Sequence, residues 1–150
     1  MKRNYHLCLS SDNEILFRDI EDYNRGFNNF AVALYRTSSV GLVESFMSTH
    51  CHLLVQTEDP DLLMYHFRNS YSKYFNFKYK RNGKLGKDKH FFLEVVGCNH
   101  LLAAISYILR NPLHHGVAPI PFAYHHSTAN SIFRKEMGKF FNEPLLANRR

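Results

Sequence analysis

A chain of 150 residues, 45% hydrophobic and 15% aromatic, is the size of one ordinary domain and buries enough surface to fold without a disulfide or structural metal; that composition excludes a disordered chain. No apolar run approaches the ~20 residues of a membrane span, and the basic N-terminus MKRNYHLCLSS lacks a signal-peptide core. With a net charge of +6 and three cysteines (Cys8, Cys51, Cys98) without metal-type spacing, the expectation is one domain over residues 1–150, holding reduced thiols in the cytoplasm.

Residues 4–10 read as a first strand, followed by a polar turn at 11–14. Asp19 is a helix cap, with Tyr23, Phe27, Phe30, Ala31 and Leu34 forming one apolar stripe and Gly26 a local weak point. Residues 40–47 and 50–56 are β-rich runs joined by a tight turn at Ser48-Thr49. Asp59-Pro60 starts a helix, since proline's missing N–H costs nothing in the first turn; it runs to about Lys80 and stops at Asn82-Gly83. Residues 90–96 form another strand, and Asn99 caps a helix that should end at Asn111-Pro112, because proline disfavours a helical residue before it. A last helix is expected over 131–141. The pattern predicts an α+β domain.

Charge is unevenly spread. Residues 66–90 hold eight cations against one acid, Asp88, while the N-terminal segment leans acidic with Asp12, Glu14, Asp19, Glu21 and Asp22. Such a local excess marks a polyanion site, and the interleaved aromatics, among them Tyr71 and Tyr74, suit stacking on unpaired bases. The plainer alternative is a solvated helix face with core aromatics. Lys73, Lys80, Arg81, Lys84 and Lys87 are the candidate phosphate contacts.

Two elements carry chemistry. In the strand THCHLLVQ, alternation sends His50 and His52 to one face and Cys51, Leu53 and Val55 to the other. Two imidazoles so placed can converge on one metal ion, although a lone His-x-His pair also reads as two surface or core histidines. On a helical wheel of residues 99–111, Leu101, Ile105, Ile108 and Leu109 share one side with Leu102 at its margin, and Tyr107 falls opposite, flanked by His100, Ala103, Ala104 and Asn111. A phenol is a poor nucleophile at neutral pH until something lowers the barrier. A divalent ion held by His50, His52 and the Asn111 carbonyl oxygen would polarise a phosphate oxygen, and Tyr107 would attack the phosphodiester to give a phosphotyrosine. Such a link conserves the bond energy, so a later hydroxyl can reverse it: strand transfer rather than hydrolysis.

These residues resemble the HUH single-tyrosine transposases, above all the REP-associated tyrosine transposases of the insertion-sequence-200-like superfamily. The resemblance spans about residues 4–128, leaving 129–150 as a tail, and rests on LFRDIEDY, FMSTHCHLLVQ, YFNFKYKRNGKLG, HFFLEVV and YILRNPLHHGV. It implies Tyr107 as nucleophile, His50 and His52 as metal ligands and Asn111 as third ligand. It also implies a central antiparallel sheet with helices packed on it, in a ferredoxin-like or RRM-like layout. The implied substrate is single-stranded DNA bearing a hairpin or palindromic repeat, and the implied cofactor is Mg²⁺ or Mn²⁺. Imidazole ligands favour Mn²⁺ of the two. Relatives occur as monomers and as homodimers, with the tyrosine acting in its own or its partner's site. The chain departs from the family pattern at Ser48-Thr49, Cys51 and His114; Arg110 and the basic run are the expected compensation for phosphate contact.

The leading expectation is a metal-dependent DNA nickase and strand transferase. The departures motivate a rival, a domesticated hairpin-DNA-binding protein without catalysis. A third reading, an RNA-binding sheet domain, lacks the aromatic-rich strand signature it would need.

Overall fold

The computed structural model describes residues 1–87, 89–116, 118 and 124–128. Seven elements follow in order: β1 (Arg3–Ser10), α1 (Ile20–Arg36), β2 (Val40–Met47), β3 (His50–Thr57), α2 (Pro60–Tyr79), β4 (Phe91–Val95) and α3 (Cys98–His114). The strands form one antiparallel sheet in the order β2-β3-β1-β4, giving the α+β ferredoxin-like layout expected. The helix predicted over 131–141 lies outside the described residues.

Strand alternation divides the sheet into two faces. Leu7, Leu9, Phe46, Cys51, Leu53 and Val55 point to one face, where α1 and α2 cover them with Phe27, Phe30, Leu63, Met64, Phe67, Tyr71 and Phe75. Tyr71 is completely buried in this core and Tyr74 packs, partly buried, against its margin. On the opposite face, Val43, Leu54 and Val95 receive Ala104 and Ile108 of α3, with Leu101, Ile105 and Leu109 alongside; Ala104 thus lies on the packed side of α3 rather than beside Tyr107, because its small side chain fits against the sheet.

Most local signals act as read, and the differences have physical causes. Asp19 caps α1 by accepting from the Asp22 N–H at 2.9 Å, and Asp59 caps α2 by accepting from the Leu62 N–H at 3.0 Å. In α1 the stripe includes Ala33 rather than Ala31, which faces solvent. Gly26 is a close-approach site: a Cβ there would lie 2.6 Å from Phe17 Cε1, so only glycine lets α1 settle on that ring. Helix α3 corrects the sequence reading at both ends. Its N-cap is Gly97 at φ 83°, with Asn99 already inside the helix. It also continues through Pro112 to His114, because Asn111 and Pro112 are both buried and the His115 N–H still reaches the Asn111 carbonyl at 3.2 Å. The pre-proline penalty is thus overcome by tertiary packing.

Residues 124–128 run beside β2 at the sheet edge. The His126 carbonyl accepts from the Phe46 N–H at 2.8 Å, Ser127 bridges Ser45, and Thr128 Oγ1 accepts from the Glu44 N–H at 2.7 Å. Tyr124 donates to the Phe46 carbonyl, and the His126 ring stacks on Tyr23 at 3.7 Å. The segment thereby covers an otherwise open strand edge.

A second anchor joins α1 to α2. Asp22 is fully buried and accepts from Tyr79 (2.6 Å), Tyr74 (2.8 Å), the Arg18 N–H (2.9 Å) and Lys78 (3.1 Å). Burial by itself would raise this carboxyl, but the hydrogen bonds from Tyr79, Arg18, Tyr74 and Lys78 outweigh it and hold the pKa below the ordinary value. A depressed folded-state pKa adds stability above the unfolded carboxylate's pKa, and that stability is lost as pH falls through the folded value. Asp22→Asn should therefore cost about 2 kcal/mol near neutral pH. In urea titrations the gap to wild type should narrow below about pH 4; a gap independent of pH would show that the charge contributes nothing.

Candidate active site

The register of β1 against β3 places Ser10 opposite His50, Cys8 opposite His52 and His6 opposite Leu54. All six side chains therefore face α3. Helix α3 lies over this row with its Ile108 side down, which turns Asn111 into the sheet and leaves Tyr107 half-exposed at the margin. The sequence-predicted residues meet within one chain. The rings of His50 and His52 lie 5.2 Å apart, and Tyr107 packs its ring edge-on at 5.4 Å from that of His52. His50 Nε2 stands 3.1 Å from Asn111 Oδ1, although 61 positions separate them in the chain.

Burial governs the electrostatics. Desolvation, joined by the neighbouring His6, His50 and His115 rings, pulls the His52 pKa down to about 3. Desolvation also lowers His50, against its hydrogen bond to the Asn111 amide oxygen, which favours the charged form. Both rings are neutral at pH 7 and retain ligand lone pairs. Cys8, opposite His52, is pushed up to about 11 by burial, with Lys87 opposing.

The donor set fits a divalent cation. Among the described residues no three His, Cys, Asp or Glu side chains are grouped to hold a metal ion, so a cation here would take two imidazoles and the Asn111 amide oxygen. The 3.1 Å between His50 Nε2 and Asn111 Oδ1 is a hydrogen bond when that nitrogen carries its proton; it is also about the separation of adjacent ligands on an octahedral ion. His50 Nδ1 contacts Thr49 Oγ1 at 3.2 Å, and His52 Nδ1 contacts His6 Nε2 at 3.0 Å. Outer contacts of this kind set ring orientation at metal sites. Beside Tyr107 opens a cavity of about 460 Å³ lined by His6, His52, Phe91, His100 and Ala103. His100 Nδ1 accepts from the Val96 N–H at 3.2 Å.

Sequence reasoning missed His6 and His115, whose ring lies 4.8 Å from that of His50. Alternation along β1 placed His6 in phase with Cys8, but nothing local says that β1 pairs with β3.

The basic candidates separate. Arg81 is consumed by the fold: its guanidinium pairs with Glu14 (Nη2 to Oε1 2.8 Å) and donates to Asn76 Oδ1 and the Gly83 and Lys84 carbonyls. Lys78 likewise binds Asp19, Glu21 and Asp22. Lys87 pairs with Asp12 at 3.1 Å. Lys73 and Lys84 line a groove of about 430 Å³ between α2 and the segment after it, with Tyr65, Asn69 and His90. Lys80, at φ 50°, is the left-handed C-cap of α2 and is exposed. Arg110 is exposed on α3. No helix among the described residues is long and apolar enough to cross a membrane.

No family model matches the sequence, and no curated protein matches it. Solved structures share the fold. One, a REP-associated tyrosine transposase bound to a REP hairpin, superposes with a TM-score of 0.67 at 12% identity, over 89% of this chain and 80% of its own. Another, described as a candidate transposase from Deinococcus radiodurans R1, gives a TM-score of 0.52 at 14% identity, over 74% of this chain and 91% of its own. At these identities the likeness is one of fold.

The depressed His52 pKa has a measurable consequence. An unfolded histidine takes up a proton below about pH 6.5, which the folded ring refuses, so stability should fall with pH from there downward. Urea titrations at about pH 7 and pH 5 should differ by up to about 2 kcal/mol from this group, and His52→Gln should flatten the profile. An unchanged slope in the variant would mean that the folded ring is protonated.

Proposed function

We propose that this protein is a transposase-like enzyme that cleaves and rejoins single-stranded, hairpin-bearing DNA through Tyr107. The observation that carries this reading is the convergence of Tyr107, His50, His52 and Asn111 on one end of the sheet. The shared fold with a hairpin-bound tyrosine transposase supports the substrate class.

The chemistry follows from what each residue offers. Tyr107 is half-exposed, and its hydroxyl takes no hydrogen bond among the described residues, so it is accessible to a phosphodiester lying in the adjoining cavity. Its oxygen attacks phosphorus, the bond to the 3′ oxygen breaks, and a 5′-phosphotyrosine forms. The phenol gives up its proton and the departing 3′ oxygen takes one up, so protons and charge balance with no external energy source. His50, His52 and Asn111 would hold Mg²⁺ or Mn²⁺, which when bound neutralises charge developing on the phosphoryl oxygens. Asn111 and the imidazoles are fixed by burial and by partners on two strands, so the ligand set is ordered before DNA arrives. Attack by a second 3′ hydroxyl on the phosphotyrosine reverses the step on a new partner strand. Lys73 and Lys84, uncommitted to ion pairs among the described residues, are the leading phosphate contacts, and Lys80 and Arg110 are exposed cations available for the same role.

Incubation with a hairpin-bearing single-stranded oligonucleotide and Mn²⁺ should yield a covalent protein–DNA adduct on denaturing gels. Tyr107→Phe should abolish it; an adduct surviving that change reassigns the nucleophile. Hairpin binding without an adduct from the wild type would favour the purely DNA-binding rival.

The ion pairs sort the basic residues. Lys73→Ala and Lys84→Ala should each lower the slope of log affinity against log salt by about one. Arg81→Ala should leave the slope near that of wild type and instead destabilise the fold, since its guanidinium is held by Glu14. Equal slopes for all three variants would place the DNA elsewhere.

A further inference from the structure

His6 lies on the same sheet face as His52, diagonally across the β1–β3 pair, and its Nε2 sits 3.0 Å from His52 Nδ1. The rings are 5.1 Å apart, and the His6 ring also packs edge-on against Tyr107 at 5.8 Å and Phe91 at 5.8 Å. This places His6 at the junction of the strand histidine, the tyrosine and the cavity wall. It is not grouped with His50 and His52 as a third metal ligand. Which nitrogen of His52 carries its proton is tied to the direction of the hydrogen bond with His6.

Two neutral imidazoles sharing one hydrogen bond have two arrangements. In one, His6 Nε2–H donates to His52 Nδ1, which leaves the His52 proton on Nε2 and blocks that nitrogen as a ligand. In the other, His52 Nδ1–H donates to His6 Nε2, and the His52 Nε2 lone pair is free. His52 Nε2 makes no hydrogen bond among the described residues, and the side of the ring it occupies is the one turned away from His6. We propose that His6 is a positioning residue for the cation site: it accepts the His52 Nδ1 proton and thereby presents His52 Nε2 as the ligand atom. This inference rests on the metal-dependent reading above and deepens it.

Phe91 and Tyr107 both pack edge-on against the His6 ring, so the acceptor is placed by packing rather than by a flexible surface contact. The hydrogen bond also fixes the His52 ring plane, which stands nearly perpendicular to that of His50 at 84° and to that of Tyr107 at 88°. An unrestrained ring could turn about its last torsion and carry Nε2 out of reach of the other ligands.

The test compares His6→Gln, whose amide oxygen can still accept from Nδ1–H, with His6→Leu, which cannot. Mn²⁺ affinity is read without DNA, by electron paramagnetic resonance of the free ion, for wild type, both His6 variants and His52→Ala. His6→Leu should weaken Mn²⁺ binding about 10–100-fold, and His6→Gln should restore it to within a few-fold of wild type. Equal affinity in His6→Leu and wild type, with His52→Ala impaired, would overturn the role of His6 and leave the metal site standing. A Gln variant as weak as His52→Ala would make His6 a direct ligand instead of a positioning residue. Failure of wild type to bind Mn²⁺, or no loss in His52→Ala, would overturn the site and this inference together. Long-range ¹H–¹⁵N spectra of the wild-type imidazoles give an independent readout that needs no variant to fold: His52 should carry its proton on Nδ1, and a proton on Nε2 would refute the proposal.

Discussion

The seating of α3 on the sheet is the contact on which the rest depends. Ile108 is wholly buried and Ala104 nearly so, packed against Val43, Leu54 and Val95 from three strands. Burying a side chain such as Ile108 contributes about 1.5–3 kcal/mol, whereas the net gain of a hydrogen bond such as His50 to Asn111 is about 1 kcal/mol. The apolar seat therefore positions the polar site, and the imidazole–amide contact adjusts it. Asn111, one turn beyond Tyr107 on the same helix, is drawn into the sheet by this packing while the tyrosine stays at the margin. The buried Pro112 continues the last turn where proline would ordinarily end it.

The sheet separates two tasks by alternation alone. Cys51, between the two histidines in sequence, points into the core formed with α1 and α2, and burial holds its thiol far above the ordinary cysteine value. His50 and His52 point the other way. A single strand thus supplies core packing and ligand atoms without either compromising the other, and the large apolar core on the α1–α2 side supports the more open face that carries the chemistry. The segment at 124–128 closes the β2 edge beside this face, giving the YHHST stretch a structural part in completing the sheet.

Electrostatics change most between chain and fold. Along the sequence the excess of lysine and arginine over residues 66–90 stands apart from the acidic N-terminal stretch. In three dimensions the two meet: Lys78 joins Asp19, Glu21 and Asp22, Arg81 joins Glu14, and Lys87 joins Asp12. Three of the eight cations of that stretch are thus used in internal pairing that ties α2 and the segment after it to the start of the chain. Lys73 and Lys84 are left along a groove on the α2 side, away from the face that carries Tyr107.

What the sequence determined by itself was local and periodic. Asp19 and Asp59 cap their helices, the alternation in THCHLLVQ puts both histidines on one face, and the apolar spacing in α3 turns Tyr107 away from its leucines. Each of these follows from repeat lengths of 2 and 3.6 residues and from short-range hydrogen bonding. The α+β layout follows from the order of the elements. What only the tertiary structure decided was every contact between distant segments. The pairing of β1 with β3 brought His6 to His52; the docking of α3 brought Asn111 to His50 and carried the helix past its proline; the meeting of acids and bases tied Arg81 to Glu14. The reason is that strand pairing and helix docking are settled by total burial over the whole core, a sum to which each residue contributes a little and which no local stretch of sequence contains.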